Sequence, residues 1–134
     1  MMSWSRAITL LGIFLWPTDI AAQKPPLSGA QKGQAIAEKH CARCHVIGSQ
    51  NSMGGIGSTA SFQMIAGMPD GLIRFQTFYA RRPHPAFLTV PGIPKWSKAP
   101  AYATEFTMTL DEVDNIVAFA KTLEKKQPAG FKRR

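Results

Sequence analysis

The sequence lacks several features on which whole classes of protein depend. Among its 134 residues are only two cysteines and eight acidic residues, with no internal repeat and no long segment of β-type alternation. Outside the N-terminus, no apolar run is long enough to predict a transmembrane helix. These absences argue against a repeat protein, an all-β domain and a protein with several membrane spans.

What the sequence does contain fits one globular domain with abundant loops. Apolar residues make up 45% of the chain, and 11 glycines and 10 prolines interrupt it. The net charge is +8, and the basic residues cluster toward the C-terminus: Lys121, Lys125, Lys126, Lys132, Arg133 and Arg134. A basic surface attracts acidic partners. Because no nucleic-acid-binding motif accompanies the charge, we expect an acidic protein partner and no nucleic acid.

The N-terminus has the order of a secretory signal. Residues 1–6 carry one basic residue, Arg6, and no acidic residue. Residues 7–16 are apolar, and small residues precede a cleavage site expected after Ala22. The apolar run is too short to span a bilayer comfortably, so we expect no membrane span after cleavage. The expected compartment is extracytoplasmic, a bacterial periplasm. The predicted parts are a signal peptide (1–22), a short leader (23–28), a domain (29–127) and a basic tail (128–134).

Helical periodicity dominates the predicted domain. Capping boxes are expected where Ser28 pairs with Gln31 and where Thr109 pairs with Glu112. The pattern predicts helices over residues 29–41, 62–66, 70–80 and 110–123. Residues 54–61 and the Pro-rich stretch 86–103 are expected to be irregular. The fold class is therefore all-α, with three to four helices and long loops.

The two cysteines stand in one motif, Cys41-Ala42-Arg43-Cys44-His45, the C-x-x-C-H signature of covalent haem attachment. The two thiols are spaced to form thioethers with the two vinyl groups of one haem, and His45 follows as ligand to the iron. A structural zinc site would be one ligand short. A redox-active thiol pair would need a βαβ context that is not seen here. A disulfide within the motif would be compatible with export.

The segment from Gly33 to His45 resembles the opening of class I cytochromes c, and residues 109–123 resemble their C-terminal helix. The resemblance implies a class I fold around one covalent haem c, and a function in single-electron transfer rather than catalysis. It also implies that the first and last helices cross tightly at a glycine, here with Gly33 against Phe119.

The second axial ligand is where the resemblance fails. The methionine that such proteins place before the last helix is replaced by Ala103. His84, set between two prolines, and Met108 are the candidates for the sixth ligand. Other possibilities are an unusual ligand or none; the unusual candidates are Lys95, Lys98 and Tyr102. An open sixth site would indicate a small-gas sensor or a peroxidase-like catalyst instead.

The surroundings of the haem are less sharply predicted. Such proteins have a proline soon after the motif whose carbonyl holds the ligand histidine; here a carbonyl within residues 56–61 is expected to replace it. Further candidates are the haem-pocket walls (Phe62 and Phe75) and the groups that could bind haem propionates (Arg81, Arg82, Trp96 and Tyr102).

Overall fold

The computed structural model describes residues 26–125, so the predicted signal peptide and basic tail lie outside the described residues. Four α-helices are present: α1 (Gly29–His40), α2 (Phe62–Ala66), α3 (Gly71–Thr77) and α4 (Leu110–Lys125). Two strands of two residues each, β1 (Leu88–Thr89) and β2 (Phe106–Thr107), pair in parallel. The prediction of an all-α domain is confirmed. The third predicted helix is shorter, because its last turn is a 3₁₀ segment, Phe78–Ala80.

Both predicted capping boxes are present. The Gln31 N–H donates to Ser28 Oγ at 3.3 Å, and the Ser28 N–H donates to Gln31 Oε1 at 2.9 Å. At the start of α4, the Thr109 N–H donates to Glu112 Oε2 at 2.8 Å and the Glu112 N–H donates to Thr109 Oγ1 at 3.2 Å. These bonds satisfy backbone donors that would have no partner inside the helix. The two ends of the domain are thus fixed by local sequence.

The tightest helix packing in the domain is that of α1 on α4. A Cβ built on Gly33 would collide with the backbone carbonyl of Asn115 and lie 2.8 Å from the Ile116 nitrogen. The close approach predicted at Gly33 is therefore present, but its partner is the α4 backbone one turn before Phe119. Phe119 instead places its ring 6.2 Å from that of Phe62. Glycine is needed here because any side chain would force the two helices apart.

The strand pair was not predicted from the sequence. Leu88 pairs with Phe106 and Thr89 with Thr107. The next residue, Met108, continues the register, since its N–H donates to the Thr89 carbonyl at 2.9 Å. The pairing ties the Pro-rich segment to the start of α4 and so fixes the position of the turns before β1. Within the described residues, no helix is long and apolar enough to cross a membrane.

Candidate functional site

One side of the helical core opens into a cleft of about 210 Å³. Cys41 and His45 line it from the end of α1, Phe62 and Phe75 line it from α2 and α3, and His84 lines it from the turn before β1. The phenyl rings of Phe62 and Phe75 lie 4.9 Å apart and form an apolar wall. Cys44 is half-buried and is not among the lining residues. The structure thus brings Cys41 and His45 of the motif, the predicted walls and one sixth-ligand candidate to one cavity.

The imidazole of His45 is held by a backbone carbonyl. Its Nδ1 lies 2.7 Å from the Ala60 carbonyl oxygen, a distance for a strong hydrogen bond in which the ring N–H donates. Ala60 lies within the segment 56–61, where such a carbonyl was predicted, so that prediction is confirmed. Because a carbonyl oxygen can only accept, Nδ1 carries the hydrogen of this bond, and the free lone pair of the neutral ring is on Nε2. The rings of His45 and Phe62 are also nearly perpendicular, with an interplanar angle of 76° and centroids 5.6 Å apart.

Asn51 organises the loop that follows the motif, and sequence reasoning missed it. Its Oδ1 accepts from the N–H groups of Ile47 and Gly48 at 2.8 and 3.1 Å, and its Nδ2 donates to the His45 carbonyl at 2.9 Å. One side chain therefore fixes the backbone on both sides of Val46. The sequence pointed to this role only through an asparagine in a loop rich in glycine and serine. That composition is typical of many turns and does not single out Asn51.

His84 is half-buried and faces His45 across the cleft. The two imidazole centroids are 6.2 Å apart and the ring planes differ by 5°. His84 Nδ1 lies 3.1 Å from the Arg81 carbonyl oxygen. Burial lowers the pKa of His84, and the neighbouring His45 acts in the same direction, whereas bonds to the Arg81 and Phe78 backbone oppose the shift. The net shift favours the neutral form of the His84 imidazole.

The electrostatics of Cys41 do not suit a redox-active thiol pair. Burial raises the pKa of the Cys41 thiol to about 12, and the nearby Cys44 adds to the shift. A reactive thiol in a C-x-x-C motif usually has a lowered pKa, since the thiolate is the nucleophile. Cys41 is therefore protonated at neutral pH, which does not suit a nucleophilic thiol.

The other sixth-ligand candidates lie elsewhere in the described part of the chain. Met108 is only 1% exposed and belongs to the core, but it does not line the cleft. Lys95 pairs with Glu105 at 3.6 Å, Lys98 is exposed, and Tyr102 is 65% exposed. Of these four residues, none is brought to the cavity that His45 lines.

The rim of the cleft is cationic. Arg74, Arg81 and Arg82 all line it. Arg74 pairs with Asp70 at 2.9 Å. This placement fits the predicted role of Arg81 and Arg82 toward haem carboxylates.

Trp96, the aromatic candidate for the same role, is engaged elsewhere. Its indole N–H donates to the Ala80 carbonyl at 2.9 Å, and its ring lies under the Arg82 guanidinium at 5.0 Å. Trp96 therefore supports the turn that carries Arg81 and Arg82, and it does not line the cleft itself. Tyr102 meets the Phe87 ring at 5.8 Å and does not line the cleft either.

Comparison with known proteins agrees with this arrangement. The sequence model of the family described as Cytochrome c matches residues 30–124. No curated protein and no solved structure matches the chain. Members of the matched family bind haem c covalently, with one haem typical of a domain of this size, and are typically electron-transfer proteins. The match spans most of the chain and includes the motif, the cleft and both crossing helices, and the chain therefore belongs to the cytochrome c family.

Proposed function

We propose that this protein carries single electrons between exported redox proteins, using one haem c. Cys41 and Cys44 are its thioether anchors and His45 its proximal iron ligand. The observation that carries the proposal is that His45 and Cys41 line the same cleft, while the Ala60 carbonyl holds the far side of the His45 ring. That bond leaves Nε2 as the nitrogen available to a metal.

The chain's own residues prepare the cleft for such a group. Phe62, Phe75 and Ile116 supply an apolar wall that excludes water from one side. In this proposal Arg81 and Arg82, which line the cleft, neutralise the two haem carboxylates. When bound, the haem supplies an iron that alternates between the ferric and ferrous states, and the protein sets the potential through ligands, charge and burial.

The partner in this proposal is an acidic redox protein. The net charge of +8, together with Arg81 and Arg82 beside the cleft, provides a positive field there. Such a field increases the rate of encounter with an acidic surface and weakens as salt screens it. The compartment in this proposal is a bacterial periplasm, reached through the predicted signal peptide.

The test is to produce the full chain in a host that matures haem c and to extract it with acidified acetone. We expect the haem to stay with the polypeptide, to give the pyridine spectrum of two thioether bonds, and to titrate reversibly as a one-electron centre. The variant Cys41→Ala/Cys44→Ala should lose covalent haem, whereas Met53→Ala, at a loop residue that is 98% exposed, should retain it. Haem that extracts freely from the wild type, or that is not reversibly reduced, would refute the proposal.

A further inference from the structure

We propose that His84 is the second axial ligand, so that the iron is held between two imidazoles, those of His45 and His84. This inference rests on the proposed function, because it requires a haem attached at the C-x-x-C-H motif. It departs from the methionine ligand implied by the family resemblance. The relation of the two rings in the cleft, which sequence spacing could not supply, supports this ligand.

The distance between the two rings matches a metal held between them. A metal–imidazole bond is about 2.0–2.1 Å long, and a ring nitrogen lies about 1.1 Å from the centroid of its ring. Two imidazoles on opposite sides of one metal therefore have centroids about 6.2–6.4 Å apart. The His45 and His84 centroids are 6.2 Å apart. A direct N–H···N bond would bring the centroids to about 5.1 Å, since such bonds are about 2.9 Å long. The observed gap is therefore too wide for a hydrogen bond and right for an intervening ion.

Both imidazoles are held in the same way. His45 Nδ1 is bonded to the Ala60 carbonyl at 2.7 Å, and His84 Nδ1 lies 3.1 Å from the Arg81 carbonyl. Metal-ligating histidines almost always donate their second ring N–H to such an acceptor, which fixes the tautomer and the ring orientation. The symmetry of the two carbonyl contacts assigns Nε2 of each ring to the metal.

The rigidity of the turn that carries His84 supports a ligand role. Pro83 and Pro85 flank the histidine, and Pro85 is buried. The Ala86 N–H donates to the Pro83 carbonyl at 3.1 Å and the Phe87 N–H to the His84 carbonyl at 3.0 Å. Because prolines fix their own φ and these bonds close the 3₁₀ turn, the backbone that carries His84 is rigid. The contact of His84 Nδ1 with the Arg81 carbonyl then holds the ring in the cleft.

The ring planes predict a spectroscopic signature. The two imidazoles are parallel to within 5°, and parallel axial planes give ferric haem a rhombic low-spin EPR signal rather than the large-gmax signal of perpendicular planes. Two nitrogen ligands also give a lower reduction potential than a histidine and methionine pair. With both axial positions filled, the iron is closed to exogenous ligands.

The experiment compares ferric EPR, near-infrared magnetic circular dichroism and carbon monoxide binding in the holoprotein. We expect a rhombic bis-imidazole signal and no carbon monoxide binding by the wild type. His84→Ala should become high-spin and bind carbon monoxide when reduced, and His84→Met should gain the weak red band of iron–thioether ligation. Two control variants, His40→Gln and Met108→Leu, should leave all spectra unchanged, because neither residue lines the cleft. The His40 ring stacks on that of Phe106 instead, with centroids 4.4 Å apart.

A thioether band in the wild type, a high-spin wild type that binds carbon monoxide, or an unchanged spectrum in His84→Ala would each overturn the inference. If His84→Ala does not accumulate with haem, the wild-type EPR and near-infrared spectra decide alone, since they report the ligand type directly. Failure of the inference is distinguishable from failure of the proposed function. Covalent attachment is read from the extracted pyridine complex, in which pyridine replaces both axial ligands.

Discussion

Substitution of Gly33 by alanine tests whether the crossing of α1 and α4 holds the domain together. A Cβ at this position would collide with the Asn115 carbonyl and crowd the Ile116 nitrogen, both of which are backbone atoms that cannot rotate away. Alanine would gain about 0.8–1.0 kcal/mol in helix propensity, while overpacking costs about 1–3 kcal/mol or more. Because the obstruction is backbone, we take the upper end and expect a net loss of about 2 kcal/mol in the free energy of unfolding.

The assay is guanidinium chloride unfolding of the holoprotein, followed by far-ultraviolet circular dichroism. With an m-value of about 3 kcal/mol/M, the midpoint should fall by about 0.7 M and m should stay unchanged. Gly57→Ala is the matched control, because a Cβ at Gly57 meets no atom within 4 Å. Gly29→Ala should be nearly neutral, since the nearest obstruction is the movable Asn115 side chain at 3.1 Å. A Gly33→Ala midpoint equal to that of Gly57→Ala would refute the reasoning.

Two further substitutions probe local hydrogen bonds. Asn51→Ala leaves two loop N–H groups and the His45 carbonyl without their partner. It should lower the free energy of unfolding, measured with denaturant, by about 1–3 kcal/mol. Asn51→Asp keeps the two accepting bonds and should lower it less; equal losses in the two variants would show that the accepting oxygen does not matter. Thr109→Ala removes the cap of α4 and should cost about 1 kcal/mol, which is about 4–8 °C in Tm for a domain of this size. Thr104→Ala, at an exposed loop residue, should leave Tm unchanged, and a Thr109→Ala Tm that matches it would contradict the capping role.

The parts of the fold that local sequence determines were predictable. The capping boxes at Ser28 and Thr109 specify where α1 and α4 begin, because each side chain bonds a backbone group three residues away. The C-x-x-C-H motif places Cys41 and His45 at the end of α1, where one turn sets their relation. The close approach at Gly33 was implied by the family resemblance, although its true partner on α4, the backbone at Asn115, was not.

The position of His84 was not predictable, because long-range contacts set it. The sequence left the sixth ligand open among His84, Met108 and less usual candidates, and it gave no position for any of them in space. The choice depends on how the segment between α3 and α4 folds, and that segment is held by bonds between distant residues, such as the Trp96 indole to the Ala80 carbonyl. Neither that bond nor the pairing of β1 with β2 leaves a periodic pattern in the sequence.

The same strand pairing favours the earlier turn, rather than Met108, as the source of the proposed ligand. Met108 directly precedes the cap of α4, and its N–H is committed to the Thr89 carbonyl while its side chain is 1% exposed. Moving its sulfur to the cleft would break the register of the pair and open a cavity in the core, at a cost of about 2–5 kcal/mol for a buried methionine. His84 needs no such movement, since its ring already lies in the cleft and its Nδ1 is already satisfied. The segment before α4 thus serves as a structural element. In the proposed site, the turn before β1 supplies the iron ligand instead.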